Sequence, residues 1–187
     1  PGTADTVVLN EDGLSEGRPG GNGDVGGLTT SFTGSLHVDF GTDVIGRAFA
    51  FAAAQPGLAG LTSGGQEVHL QITTVNGQPE LIGYIGNDPS NAASHVFTIT
   101  LDANSTIDGT YTVTLLQPLD HPVPVGTSSA ASQYLDLNFA FQVEDRDHDT
   151  SSNDFTVRVD AAGTVTTVRY DAPNSPVFVN LGDASQT

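Results

Sequence analysis

Along most of this chain apolar side chains recur at every second position, the spacing of half-buried β-strands. "HVFTITLD" (95–102), "TYTVTLLQ" (110–117), "YLDLNFAFQVED" (134–145), "DFTVRVD" (154–160) and "TVTTVRYD" (164–171) are rich in β-branched and aromatic residues. "SLHVDFG" (35–41), "VIGRAFAFA" (44–52), "EVHLQITTV" (67–75) and "ELIGYI" (80–85) extend the series, and "TVVL" (6–9) and "VFVN" (177–180) add short edge candidates. Between the runs stand Gly, Pro, Asn and Asp, as in "TSGGQ", "VNGQP" and "GNDPSN". "NGQ" at 76–78 separates two strand patterns and predicts a tight hairpin turn. Helix signals are almost missing. Strands at this spacing, with no linker, predict an all-β fold: one antiparallel β-sandwich domain over 1–187, with long loops.

Two polar, Pro-bearing stretches exceed what a sandwich needs for turns, "IGNDPSNAASH" (85–95) and "LDHPVPVGTSSAASQY" (119–134). Long loops on a rigid scaffold are where recognition concentrates.

Charge changes the picture. The chain carries 22 acids against 5 bases, a formal net charge of −17, and no Cys. A disordered acidic tail lacks apolar periodicity, whereas 37% of these residues are hydrophobic. The acids are mostly Asp, which suits turns and also suits a hard cation held by oxygen. The absence of Cys removes disulfides and thiolate metal sites. Strong negative charge opposes nucleic-acid binding. No apolar run approaches about 18 residues, so no membrane insertion is expected. The start at Pro1-Gly2-Thr3, without Met, reads as a piece of something longer, and an anionic domain stabilised by a cation fits an extracellular setting.

The densest charge lies in "VEDRDHDTSSNDF" (143–155), where Glu144, Asp145, Asp147 and Asp149 fall within six positions. Alternate carboxylates converge on one calcium ion when the backbone curls, because calcium takes about six to eight oxygens at roughly 2.3–2.6 Å. In an extended strand Asp145 and Asp149 would stand about 13 Å apart, too far to share an ion. The helix-loop-helix calcium pattern also fails, with Thr150 where Gly belongs and Thr156 where a bidentate Glu belongs. A solvated, self-repelling turn is the alternative. Calcium is the expected cofactor, with Asp145, Asp147 and Asp149 as its core ligands and Glu11, Asp12, Asp24, Asp102 and Asp154 as further oxygen donors.

Catalytic patterns do not form. The five His (37, 69, 95, 121, 148) are scattered, no Gly-x-Ser-x-Gly run occurs, and "GRPGGNGDVGG" lacks the Lys of a phosphate loop. The expectation is a binding module, not an enzyme.

Four segments in order, "VVLNEDGLSEGRPGGNGD", "PGLAGLTSGGQEVHL", "YTVTLLQPLDHPV" and "LNFAFQVEDRDHDT", cover almost the whole chain. Together they resemble the repeat of giant bacterial repeats-in-toxin (RTX) adhesins exported by type I secretion. That repeat carries an "EDG-L" start, an "LTSGG" turn, a "PLDHP" turn and a "D-x-D-G-D" loop; here His148 stands where Gly is usual. Insertions around 85–95 and 122–134 enlarge the chain into a form that looks like the peptide-binding domain of such adhesins. The resemblance implies a calcium-dependent, monomeric module on the bacterial cell surface, active in adhesion and biofilm formation. It would grip the C-terminal residues of proteins on host or partner cells, with a bound calcium helping to hold the terminal carboxylate. The candidate ligand-binding residues are Tyr84, Asn87, Asp88, His95, Gln133 and Tyr134. Two other readings stay open. One is a calcium-stiffened spacer of a fibrillar adhesin. The other is a calcium-dependent carbohydrate-binding domain, disfavoured by the scarcity of aromatics (7%, no Trp).

Overall fold

A computed structural model describes residues 4–14, 29–39, 47–102, 108–121 and 134–161, with the backbone of 169–172 and 175–178. The strands are β1 (Val7–Asn10), β2 (Ser31–Ser35), β3 (Ala48–Phe51), β4 (Thr62–Ser63), β5 (Gln66–Val75) and β6 (Gln78–Ile85). They continue with β7 (His95–Asp102), β8 (Thr110–Leu115), β9 (Tyr134–Glu144), β10 (Thr150–Asp160), β11 (Arg169–Ala172) and β12 (Ser175–Phe178). One sheet runs β1-β10-β9-β3 and the other β2-β8-β7-β6-β5-β4, while β11 and β12 form their own two-stranded ladder. Every pairing is antiparallel except β1 with β10. The fold is the expected all-β sandwich.

Alternation builds its core. Phe97, Ile99 and Leu101 of β7 and Tyr111, Val113 and Leu115 of β8 are buried against Leu137, Phe139 and Phe141 of β9 and Phe155, Val157 and Val159 of β10. The Phe155 ring stacks on Tyr111 of the other sheet (centroids 4.1 Å apart) and on its own-sheet neighbour Phe139 (5.3 Å). Each such side chain removed from water contributes about 2 kcal/mol. Burial pushes the Tyr111 phenol up, and its hydroxyl donates to the Asp5 carbonyl at 2.6 Å. Gly83 lies where a Cβ would land on the Phe97 ring. Gly83→Ala is therefore expected to cost about 1–3 kcal/mol by overpacking, read as a lower urea midpoint with unchanged slope.

Three strand expectations shift. Of the run expected at 35–41, Ser35 ends β2 and residues 36–39 are not a strand, because His37 adopts φ 50° and breaks the extended backbone; residues 40–41 lie outside the described residues. Leu36 and Val38 stay buried, their N–H groups donating to Gly109 O and Asp108 O at 3.0 and 3.1 Å. β10 starts at Thr150 rather than 154, since the polar "TSSN" pairs with Phe141–Glu144. The strand expected at 164–171 is described only from Arg169, as β11. The hairpin at 76–78 is confirmed, with Asn76 at φ 52° and Gly77 at φ 82°, the signature of a two-residue type I′ turn.

Register gives the sandwich two distinct ends. β10 runs from Thr150 to Asp160, and β1, parallel to it, delivers Asn10 beside Asp160. Glu11 and Asp12 follow at that end. Leu119 and His121 bond Glu11, and Asp120 meets Thr62 there. β5 leaves this end and β6 returns to it, so the 86–94 loop lies at it too. The opposite end carries the β9–β10 turn (145–149), the Asn76-Gly77 turn, Asp102 and Asp108. The eleven residues of β10 separate the two ends by about 33 Å.

Candidate functional site

The acidic run closes the β9–β10 hairpin, with Glu144 paired to Thr150 and five residues between. Asp145 N–H donates to Asp149 O at 3.1 Å, and Asp149 N–H returns to the Asp145 carboxylate at 3.0 Å. His148 takes the left-handed conformation, φ 68°, that a glycine there would adopt without steric cost. Its Nδ1 meets the Glu144 carboxylate, which raises the imidazole above its ordinary range. The curl brings one carboxylate oxygen each of Asp145, Asp147 and Asp149 within 4.8 Å of one another. That span equals about twice a calcium–oxygen distance of roughly 2.4 Å, so the three oxygens can face a single ion. The bond with Asp145, then the charges of Asp145 and Asp149, push the Asp147 carboxyl up. The same Asp147 bond holds Asp145 down. Crowded carboxylates therefore occupy the space that a cation would fill.

Asp145 and Asp149 also border a cleft of about 220 Å³ with Val38, Asp39, Phe141, Val143 and Asn153. Asp39 is a neighbour the sequence reading missed, since it sits over 100 positions away with no motif around it.

The other metal candidates do not join this cluster. Asp154 lies exposed on β10 opposite Ala140, four residues along the strand from the turn. Asp102 ends β7 at the same end of the sandwich, outside the three-carboxylate group. Glu11 and Asp12 occupy the opposite end, and Asp24 lies outside the described residues. Glu11 is only 3% exposed. One of its oxygens accepts the Leu119 N–H at 2.7 Å and lies 3.2 Å from His121 Nε2. A carboxylate spent on these partners acts as a structural anchor.

This anchor belongs to an interlock of three turns. Glu11 of "EDG" holds "PLDHP" through Leu119 and His121. "LTSGG" holds the same turn, with Ser63 Oγ donating to Pro118 O at 2.6 Å. Gly64 and Gly65 N–H donate to the Asp120 carboxylate at 3.0 and 2.8 Å. Both glycines have positive φ, 57° and 74°, which lets consecutive N–H groups point one way. Asp120 is held below the ordinary carboxylate range, first by Thr62 and then by these N–H groups. A depressed folded value stabilises above the ordinary range, and the gain disappears as pH falls through it. Asp120→Ala should cost about 1–2 kcal/mol at pH 7. The gap to wild type should narrow in unfolding curves below about pH 4.

The described recognition candidates all fall at the interlock end. Tyr84 sits between His95 on β7 and His69 on β5, its ring 5.7 Å from that of His69. The 86–94 loop is internally bonded. Asp88 accepts from Ser90 N–H and Oγ at 2.9 and 2.6 Å, Asn91 accepts from Ala93 N–H at 3.1 Å, and His95 Nε2 lies 2.7 Å from Pro89 O. Asn87 is exposed. Tyr134 belongs to the other sheet, where its ring carries the Arg158 guanidinium at 3.8 Å, itself bonded to Asp136 at 2.7 and 2.9 Å. Tyr134 therefore shares an end with Tyr84 but not a surface. Gln133 and most of the second long loop, residues 122–133, lie outside the described residues.

Residues 5–158 match a family described as a domain of unknown function, DUF5801. No curated protein and no solved structure matches the chain.

Proposed function

The chain belongs to the DUF5801 family, and we propose that it serves as a calcium-dependent cell-adhesion module of an extracellular bacterial RTX adhesin exported by type I secretion. In this reading it binds the C-terminal residues of proteins on host or partner cells. The observation that carries it is the convergence of Asp145, Asp147 and Asp149 at a hairpin tip, spaced for one hard cation. The four-segment resemblance to RTX adhesins supports the setting. With a net charge of −17, the domain repels a peptide carboxylate unless a cation inverts the local sign. The tip ion would stiffen the hairpin, about 33 Å from the recognition candidates. An ion that holds the ligand carboxylate would have to be a second one, near the recognition candidates and distinct from the Glu11 anchor. The reading assigns no catalytic step.

A second reading, a calcium-stiffened spacer, is favoured by one observation: Asp88 and Asn91 spend hydrogen bonds inside their own loop. A peptide array with free and amidated C-termini, run with calcium and with chelator, separates the two. Adhesion predicts capture of free C-termini only, and only with calcium. No capture under any condition leaves the spacer, and capture indifferent to amidation defeats the carboxylate reading. A glycan array in parallel tests carbohydrate binding.

A further inference from the structure

We infer that the outer edge of β5 is a docking site for an extended, basic segment of a partner protein, which adds to the six-stranded sheet beyond β5. β4 covers only Gln66 and Glu67 of this ten-residue strand. The Val68 N–H points outward, donating to Leu61 O at 2.9 Å, and the two-residue turn pairs Val75 inward with Gln78. With the period of two, Leu70, Ile72 and Thr74 then aim both N–H and C=O away from β6. None of these groups has a backbone partner among the described residues.

Exposed edges are commonly blunted by lysine, proline, bulges or short length. The edges β1, β2 and β3 are four or five residues long. β5 from Val68 to Val75 has no Lys, Arg, Asp, Glu or Pro, and it pairs with β6 in unbroken register. Ile72 shares the core face with the fully buried Leu81 yet is 43% exposed, so a further strand would cover it.

Charge selects the partner. Glu67 and Glu80 flank the strand on its outer face, Glu80 opposite Thr73. In a body of net charge −17 they favour lysine or arginine on the outward positions of the added strand, with β-branched residues facing inward. The same charge opposes pairing of two copies.

The probe is an acetylated and amidated eight-residue peptide alternating valine and lysine, added to the whole chain in calcium. Because it has no free carboxylate, it leaves the proposed C-terminal recognition untested and the two readings can fail separately. Saturating peptide is expected to slow hydrogen exchange at Leu70, Ile72 and Thr74 at least tenfold. His69, Gln71 and Thr73, already bonded to β6, should be unchanged. Ile72→Lys, at an exposed position that leaves the fold intact by circular dichroism, should weaken binding at least tenfold. Unchanged exchange at the three amides overturns the inference, as does full binding by Ile72→Lys. Protection that grows with protein concentration and needs no peptide also overturns it, assigning the edge to a second copy.

Discussion

Glu11→Ala is expected to lower unfolding free energy by about 3–5 kcal/mol, because it removes a buried acceptor and orphans the groups bonded to it. The side chain is 3% exposed, and it is the acceptor that fixes the Leu119 N–H and the His121 ring. Alanine would leave that N–H and imidazole buried without their acceptor, each costing about 1–3 kcal/mol. His121 adds to the loss: its side chain is 6% exposed and its Nδ1 has no hydrogen-bond partner among the described residues. A mesophilic domain has only about 5–15 kcal/mol to lose, so the variant should sit near the edge of folding. Equilibrium urea unfolding reads the change directly. Glu11→Gln keeps a carbonyl for Leu119 and should recover about half of the loss, which separates the lost acceptor from the cavity. If Glu11→Ala falls within about 0.5 kcal/mol of wild type, the effect of an ordinary surface substitution, then the three-turn interlock does not hold the fold.

The same residue shows what one sequence can and cannot reveal. Strands were legible because burial alternates along them: β7 coincides with the predicted run at 95–102, and β9 and β6 agree within two residues at each end. β2 was not legible. "SFTGS" buries only Gly34 and is held by cross-strand hydroxyl pairs, Ser31 with Thr114 and Thr33 with Thr112, both at 2.8 Å. Nothing in local hydropathy marks a strand that stands on its partner. The calcium candidates Asp145, Asp147 and Asp149 were legible as a group because they are close in sequence and the turn only had to curl. Glu11 reads as a donor from composition alone, and only the fold places Leu119, over 100 residues away, against it. "EDG", "LTSGG" and "PLDHP" touch one another only once the chain has folded, a contact that their separate places in the sequence do not reveal.

Calcium is expected to raise the melting temperature by about 5–10 °C. With a dissociation constant of roughly 0.1 mM, usual for extracellular calcium modules, about 10 mM ion is a hundredfold excess and adds about 2.7 kcal/mol. For a domain of this length each kcal/mol shifts the midpoint by about 2–4 °C. Without the ion, the three carboxylates repel, and Asp147 is pushed above its ordinary value of 3.8. The sign follows. A raised folded value favours the protonated form, so the contribution of Asp147 to the calcium-free hairpin is lost as pH rises through that value, while Asp145, held down by the same bond, acts in the opposite sense in acid. Calcium competes with the same proton, and its affinity should fall as pH drops through that range. Asp147→Asn separates charge repulsion from ion binding. It removes repulsion, so chelator-treated protein should melt at or slightly above wild type. It also removes a ligand, so most of the calcium-induced rise should vanish. A ligand that only screened the general surface charge would raise both proteins alike, and magnesium would serve as well as calcium. Equal melting curves for wild type in calcium and in chelator would show that the Asp145–Asp149 turn holds no ion, and the proposed adhesion would lose the observation it stands on.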